Sequence, residues 1–206
     1  MTMERKEIRA FSFELRAEQN EGRGRIEGRA IVFGSQTDIG WYDEIIDKGA
    51  LDDTDLRDVR MLVNHNTDMI PLARSRNNNE NSTMQLSVDD EGMVIRADLD
   101  IENNSDAKNL YSAVSRGDIS GMSFMMIVDG DKWANLDSDH PTRTITSIKK
   151  VLEVSAVTWP AYEATSIEAR GLAGALESAK ASLESAKAEQ REVERKKMRL
   201  RILAEI

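Results

Sequence analysis

The sequence predicts an α+β fold: an antiparallel sheet of several strands with a few packed helices, then one long C-terminal helix. Three observations carry that expectation. Met84-Gln85-Leu86-Ser87-Val88 alternates apolar and polar residues, turns at Asp89-Asp90-Glu91-Gly92 and resumes from Met93 to Leu99, the pattern of a β-hairpin. Between 104 and 116, Ala107, Leu110, Tyr111 and Val114 recur at steps of three and four, the spacing of a helix face, and Gly117 is suited to end it. From Glu168 to Ile206 there is no proline, and glycine stops at Gly174. There Leu172, Leu176, Ala179, Leu183, Ala186, Val193 and Leu200 follow a four–three spacing, interrupted at Gln190 and Lys197. That is an imperfect heptad seam. The expected division is therefore a domain over 1–167 and a helical, coiled-coil-like tail over 168–206.

The remaining elements follow in chain order. Residues 8–34 read as strands: Ile8, Phe11 and Phe13 are apolar among charges, and Gly28 to Gly34 encloses an apolar run. Residues 35–60 read as loop and short helix, with Gly49-Ala50-Leu51 opening an acidic stretch. Arg60-Met61-Leu62-Val63-Asn64 has a buried-strand pattern that runs directly into His65, and Asn77 to Ser82 is a polar turn. Two more strands are expected near 120–128 and 143–158, separated by a polar loop from Asp129 to Pro141. The tail reads either as a helix packed on the domain or as a coil that takes a partner. Its seam is too small in volume to bury itself alone.

Composition removes several classes of function. The chain of 206 residues carries a net charge of -9, which argues against non-specific binding to nucleic acid. It has no cysteine, so a disulfide framework, a thiolate zinc site and a thiol nucleophile are all excluded. Met1 to Phe13 is charged and has no apolar h-region, and no apolar run is long enough for a bilayer. The expected location is an intracellular, reducing compartment, away from membranes. The glycines at 22, 24 and 28 lack dinucleotide-loop spacing and there is no Walker pattern, so no cofactor is expected.

Candidate chemistry centres on few residues. Ser123 is a small polar residue in the apolar run Gly121-Met122-Ser123-Phe124-Met125-Met126, just after a glycine-bearing turn. A serine hydroxyl becomes an effective nucleophile only beside a base. Histidine suits that task near neutral pH, and the chain has two. His65 ends an apolar strand. His140 sits in the polar loop Asp137-Ser138-Asp139-His140-Pro141, where no third ligand has metal-site spacing, so no metal site is expected. Glu153, a carboxylate within Val151-Leu152-Glu153-Val154-Ser155, could orient such a base. Taken alone, strand alternation favours turning it to solvent, and Ser123 and His65 could be core filler. The segment around Ser123 also lacks the second glycine of the hydrolase elbow. The residues permit a Ser/His/Glu hydrolase and leave a non-enzymatic scaffold or assembly protein open.

Five segments in order resemble the prohead protease family of tailed phages, capsid-maturation serine proteases related to herpesvirus assemblin. They are Gly28-Arg29-Ala30-Ile31-Val32-Phe33, then Glu44-Ile45-Ile46-Asp47-Lys48-Gly49-Ala50-Leu51, then Leu62-Val63-Asn64-His65-Asn66 with Pro71-Leu72-Ala73-Arg74. Arg116 to Phe124 resembles the nucleophile motif, and Glu153 to Tyr162 the closing motif. The resemblance covers about residues 26–168. It implies a barrel-like, assemblin-like sheet and a serine endopeptidase with Ser123 as nucleophile, His65 as base and Glu153 as orienting group. Ser120 is the local rival of Ser123. Met125-Met126 departs from the family pattern, where a glycine is expected. The implied substrates and partners are scaffold and capsid-protein segments of an assembling procapsid, and the protease itself. Self-association as an activity switch is implied by analogy with assemblin.

Overall fold

The computed structural model describes residues 6–11, 15–20, 23–159 and 169–204. Among them the strands are β1 (Lys6–Phe11), β2 (Arg16–Asn20), β3 (Arg23–Val32), β4 (Thr37–Asp38), β5 (Asp43–Ile46), β6 (Asp58–Val63), β7 (Ala73–Arg76), β8 (Met84–Asp89), β9 (Gly92–Leu99), β10 (Gly121–Ala134) and β11 (Thr142–Val157). A 3-10 turn covers Lys48–Leu51, and the helices are α1 (Ser105–Ser115) and α2 (Ala169–Ala204). The fold is α+β, mostly sheet.

The larger sheet is built around β11. Its sixteen residues pair antiparallel with β10 along their length, from Thr142 opposite Ala134 to Val157 opposite Gly121. On the other edge two short strands lie end to end, both parallel to β11. β5 pairs with Thr142–Ile145 and β6 with Glu153–Ala156. β1 borders β10, β4 borders β5 and β7 borders β6. The second sheet runs β2-β3-β9-β8 and is antiparallel throughout.

The strand pairing corrects three expectations. The sheets are not closed into a barrel: each retains edge strands. Nor is the larger sheet wholly antiparallel, since β5 and β6 run parallel to β11. Hydrophobic alternation reports which face of a strand is buried, and it carries no information about the direction of a neighbour. A third correction concerns the loop expected from Asp129 to Pro141. β10 continues to Ala134, because its polar residues have cross-strand partners. Asp131 Oδ2 accepts from Arg143 Nε at 2.6 Å, and Trp133 stacks on Trp41 at 5.8 Å.

The expected hairpin and helix are present. β8 and β9 pair from Met84–Ala97 to Asp89–Gly92. Asp89 Oδ1 accepts from the backbone N–H groups of Glu91 and Gly92. Helix α1 starts because Asn104 caps it, its side chain accepting from Asp106 N and Ala107 N at 2.9 and 3.2 Å. It stops at Gly117, whose φ of 78° suits glycine. Ala107, Leu110 and Val114 are its buried face. The two sheets approach closely where β3 crosses β10: a Cβ on Gly28 would stand 2.7 Å from Met122 Sδ.

β1 inverts the reading of its sequence. Glu7 and Arg9 are 1% and 3% exposed, whereas Ile8 is only half-buried; Phe13 lies outside the described residues. The buried charges form a network across four strands. Arg9 Nη2 bonds Glu7 Oε2 and Glu44 Oε2, each at 2.7 Å, and Arg9 Nε also bonds Glu44. Arg143 Nη1 reaches Glu7 Oε2 at 2.8 Å and Glu44 Oε2 at 3.1 Å, while its Nε holds Asp131. Asp131 Oδ1 then accepts from Ser182 Oγ of α2 at 2.6 Å, and Trp133 Nε1 donates to the same hydroxyl. Burial alone would raise the Glu7 carboxyl, but the Arg143 and Arg9 guanidiniums hold it below its ordinary value. Burial pushes the Tyr42 phenol beside them up to about 12.

Helix α2 uses its length in two ways. Around Ser182 it packs on β1 and β10, with Ala179 and Leu183 buried. Further on, Val193, Met198, Leu200, Ile202 and Leu203 are all exposed. The reading of a helix packed on the domain thus describes its part around Ser182, and the later part leaves its apolar side chains uncovered among the described residues. Among the described residues no helix is long and apolar enough to cross a membrane.

Two outcomes follow from this packing. Because Glu7 titrates lower when folded, the stability it contributes is complete above the ordinary glutamate value of about 4.3 and disappears as pH falls through the lower folded value. Urea unfolding should show stability falling below about pH 4.5. Glu7→Gln should lower stability at neutral pH and flatten that acid slope. Gly92 has a φ of 146°, and a Cβ there would lie 1.9 Å from the Ile31 carbonyl oxygen. Gly92→Ala should cost roughly 2–4 kcal/mol in the same measurement.

Candidate active site

The register of β11 gathers the candidate residues. Ser123 on β10 lies opposite Ser155 on β11, and Ser155 lies opposite Leu62 on β6. Three residues past Leu62 the chain has left β6 and reached His65. Glu153 stands two residues before Ser155, so the pleat puts both side chains on one face. The strand end that presents His65 is sharply bent. Asn64 and His65 have φ of 51° and 55°, left-handed values that Asn and His tolerate better than most residues. Asn64 N donates to the Ala156 carbonyl at 3.0 Å, and the Asn64 side chain exchanges hydrogen bonds of 2.9 Å with Thr158. The bend is thus fastened to the end of β11.

A continuous run of hydrogen bonds results. Glu153 Oε1 is 2.6 Å from His65 Nδ1, and His65 Nε2 is 2.5 Å from Ser123 Oγ. A carboxylate can only accept, so His65 carries a proton on Nδ1 and, as neutral imidazole, presents a lone pair at Nε2. That lone pair faces the serine hydroxyl. Ser123 Oγ also lies 2.8 Å from the Arg9 carbonyl, a second acceptor for its one proton. Ser123 is fully buried and Glu153 is 3% exposed. Glu153 therefore does not face solvent, and its desolvated carboxylate is paired on both oxygens: Oε2 accepts from Ser155 Oγ at 2.6 Å.

The rival residues fall elsewhere. Ser120 is exposed and precedes β10, whereas His65 bonds Ser123. At Met125-Met126, where the family pattern expects glycine, the β10–β11 pairing shifts register. Pro160, Ala161 and Tyr162 of the closing motif lie outside the described residues. His140 has moved into company that the sequence did not reveal. Its Nε2 lies 3.2 Å from Asp43 Oδ1 and 3.8 Å from Asp38 Oδ1, and these three groups are close enough to share a cation. Asp139 is not among them. Asp43 pairs with Thr142 at the far end of β11, eleven residues and roughly 35 Å of strand from Glu153. The cluster is thus separate from the serine site. Sequence reasoning gave Ser155 no role, although its two-residue offset from Glu153 was a usable signal.

Residues 11–178 match the family described as caudovirus prohead serine protease. The chain belongs to that family. It is accordingly a serine-type peptidase and a phage maturation protease, and the non-enzymatic scaffold reading gives way. A solved structure of the bacteriophage T4 capsid assembly protease, gp21, is also similar, at 12% identity over 74% of this chain and 99% of that one, with a TM-score of 0.38. No curated protein matches the chain.

Proposed function

We propose that this prohead protease is an endopeptidase that cleaves scaffold and capsid-protein segments, and itself, within the procapsid in the host cell. In this reading Ser123 is the nucleophile, His65 the general base and Glu153 the orienting group. The observation that carries it is the hydrogen-bonded run from Glu153 through His65 to Ser123. As Ser123 Oγ attacks the scissile carbonyl carbon, His65 Nε2 takes the hydroxyl proton and Glu153 stabilises the imidazolium. Collapse of the tetrahedral intermediate breaks the C–N bond, and His65 returns the proton to the departing amine. Water then attacks the acyl-enzyme ester, giving its proton to His65. The second collapse releases the carboxylate product and restores the Ser123 hydroxyl.

The same reading extends to the rest of the chain. The protease domain would comprise residues 1–167, assemblin-like in descent although open in its sheets, and the tail residues 168–206. The exposed apolar residues of α2 beyond Val193 support docking of the tail on procapsid proteins or on a second copy of the chain.

Fluorophosphonate labelling of the full-length protein tests the assignment. Mass spectrometry should find the adduct on Ser123, and Ser120→Ala should label normally. Ser123→Ala should abolish labelling. His65→Ala should slow it at least about 10³-fold, and Glu153→Gln by roughly 10²–10⁴-fold. An adduct on Ser120, or unchanged labelling of Ser123→Ala, would overturn it.

A further inference from the structure

We infer that Ser155 is a fourth, positioning member of this site, one that locks the base and its orienting carboxylate to each other; the inference rests on the Ser123–His65–Glu153 reading. Ser155 is fully buried on β11, directly opposite Ser123 in the β10–β11 pairing. Its hydroxyl makes two bonds with different partners. It donates to Glu153 Oε2 at 2.6 Å and accepts from the His65 backbone N–H at 3.1 Å.

Each bond has a separate consequence. Glu153 uses Oε1 for His65 Nδ1, so rotation of the carboxylate about its terminal torsion is the motion that would break that contact. Such torsions are broad, with no steep rotamer well to resist the motion. The Ser155 hydroxyl bonded to Oε2 supplies the resistance, fixing the carboxylate plane from its far side. The second bond acts on the main chain. His65 has a left-handed φ of 55°, a strained conformation for a non-glycine residue that persists when its surroundings hold it in place. The N–H bonded to Ser155 Oγ is one of the contacts that does so. One hydroxyl therefore sets both where the imidazole sits and how its carboxylate faces it. Alanine would leave the buried Glu153 Oε2 without this donor and the His65 N–H without this acceptor.

Threonine and valine at 155 make the test clean, because they share one shape and differ in the hydroxyl. Full-length protein is titrated with a fluorophosphonate probe, giving a maximal labelling rate and an apparent binding constant. Ser155→Val and Ser155→Ala should lower the maximal rate about 10–100-fold with the binding constant unchanged within about twofold, as for loss of an outer-shell partner. Ser155→Thr should return the rate to within a few-fold of the parent. In proton NMR, the far-downfield ring N–H signal that His65→Ala removes should move upfield in Ser155→Val and stay in place in Ser155→Thr. If Ser155→Ala does not fold, the Thr/Val pair and the NMR signal decide. Equal rates and an unmoved signal in Val and Thr overturn the inference, as does a loss confined to binding. Labelling that survives in Ser123→Ala or His65→Ala instead sinks the underlying triad reading, so the two failures are distinct.

Discussion

The pairing of β11 is the constraint on which the rest of the structure depends. One strand of sixteen residues carries β10 on one edge and, end to end on the other, β5 and β6. Its two halves do different work. The first, with β5, brings Arg143 to Glu44, and Glu7 of β1 and Asp131 of β10 complete its carboxylate partners. The second, with β6, houses Glu153 and Ser155 and receives the bend that presents His65. Because side chains alternate along a strand, a slip of one residue in either pairing would turn Glu153 or Ser123 to the opposite face and dissolve the site. The extended buried stretch from Glu153 to Val157 resists such a slip. Val154 and Ala156 face the apolar core, while Glu153 and Ser155 face the polar pocket.

That pocket is buried and polar, a combination that is stable only when its groups are satisfied. The bookkeeping closes locally. Both oxygens of Glu153, both ring nitrogens of His65 and the hydroxyls of Ser123 and Ser155 have partners within 2.5–3.1 Å. Satisfaction of this kind also fixes direction: Glu153 cannot donate, so the imidazole tautomer that leaves Nε2 free to accept is the one selected. The left-handed backbone at Asn64 and His65 is strain held in place by these bonds and by the Asn64–Thr158 clamp.

Much of this was legible in the sequence because motif order is a long-range signal. Ser123, His65 and Glu153 lie in three separate segments, and no local periodicity links them. Their succession in the family's order does. What alternation could not decide was the facing of Glu153, since a carboxylate in an apolar strand satisfies either face until its partners are known. The place of Ser155 is only half visible in its two-residue offset from Glu153, because the rest of its value lies in what stands opposite it on β10 and β6. The parallel placement of β5 and β6 was illegible because four-residue pairings leave no directional mark in composition. The burial of Glu7 and Arg9 ran against the usual expectation that charges face water, and it became intelligible only with Glu44 and Arg143 from distant strands beside them.

Those buried charges bear on Ser123, the proposed nucleophile. Desolvating ion pairs gains little net stability against an apolar alternative, but leaving one partner unpaired is expensive. A network of this kind therefore penalises every register of β1 except the observed one. In that register Arg9 lies opposite Phe124 and Ala10 opposite Ser123. Arg9 then serves twice: its guanidinium is held between Glu7 and Glu44, and its carbonyl stands 2.8 Å from Ser123 Oγ. Shifting β1 by one residue would strand the guanidinium away from its carboxylates and withdraw that carbonyl from the hydroxyl. The same bonds continue through Arg143 and Asp131 to Ser182 on α2. The position of the Arg9 carbonyl beside Ser123 is thus specified from both ends of the chain, by charges that a purely apolar core could not have used to tell one register from the next.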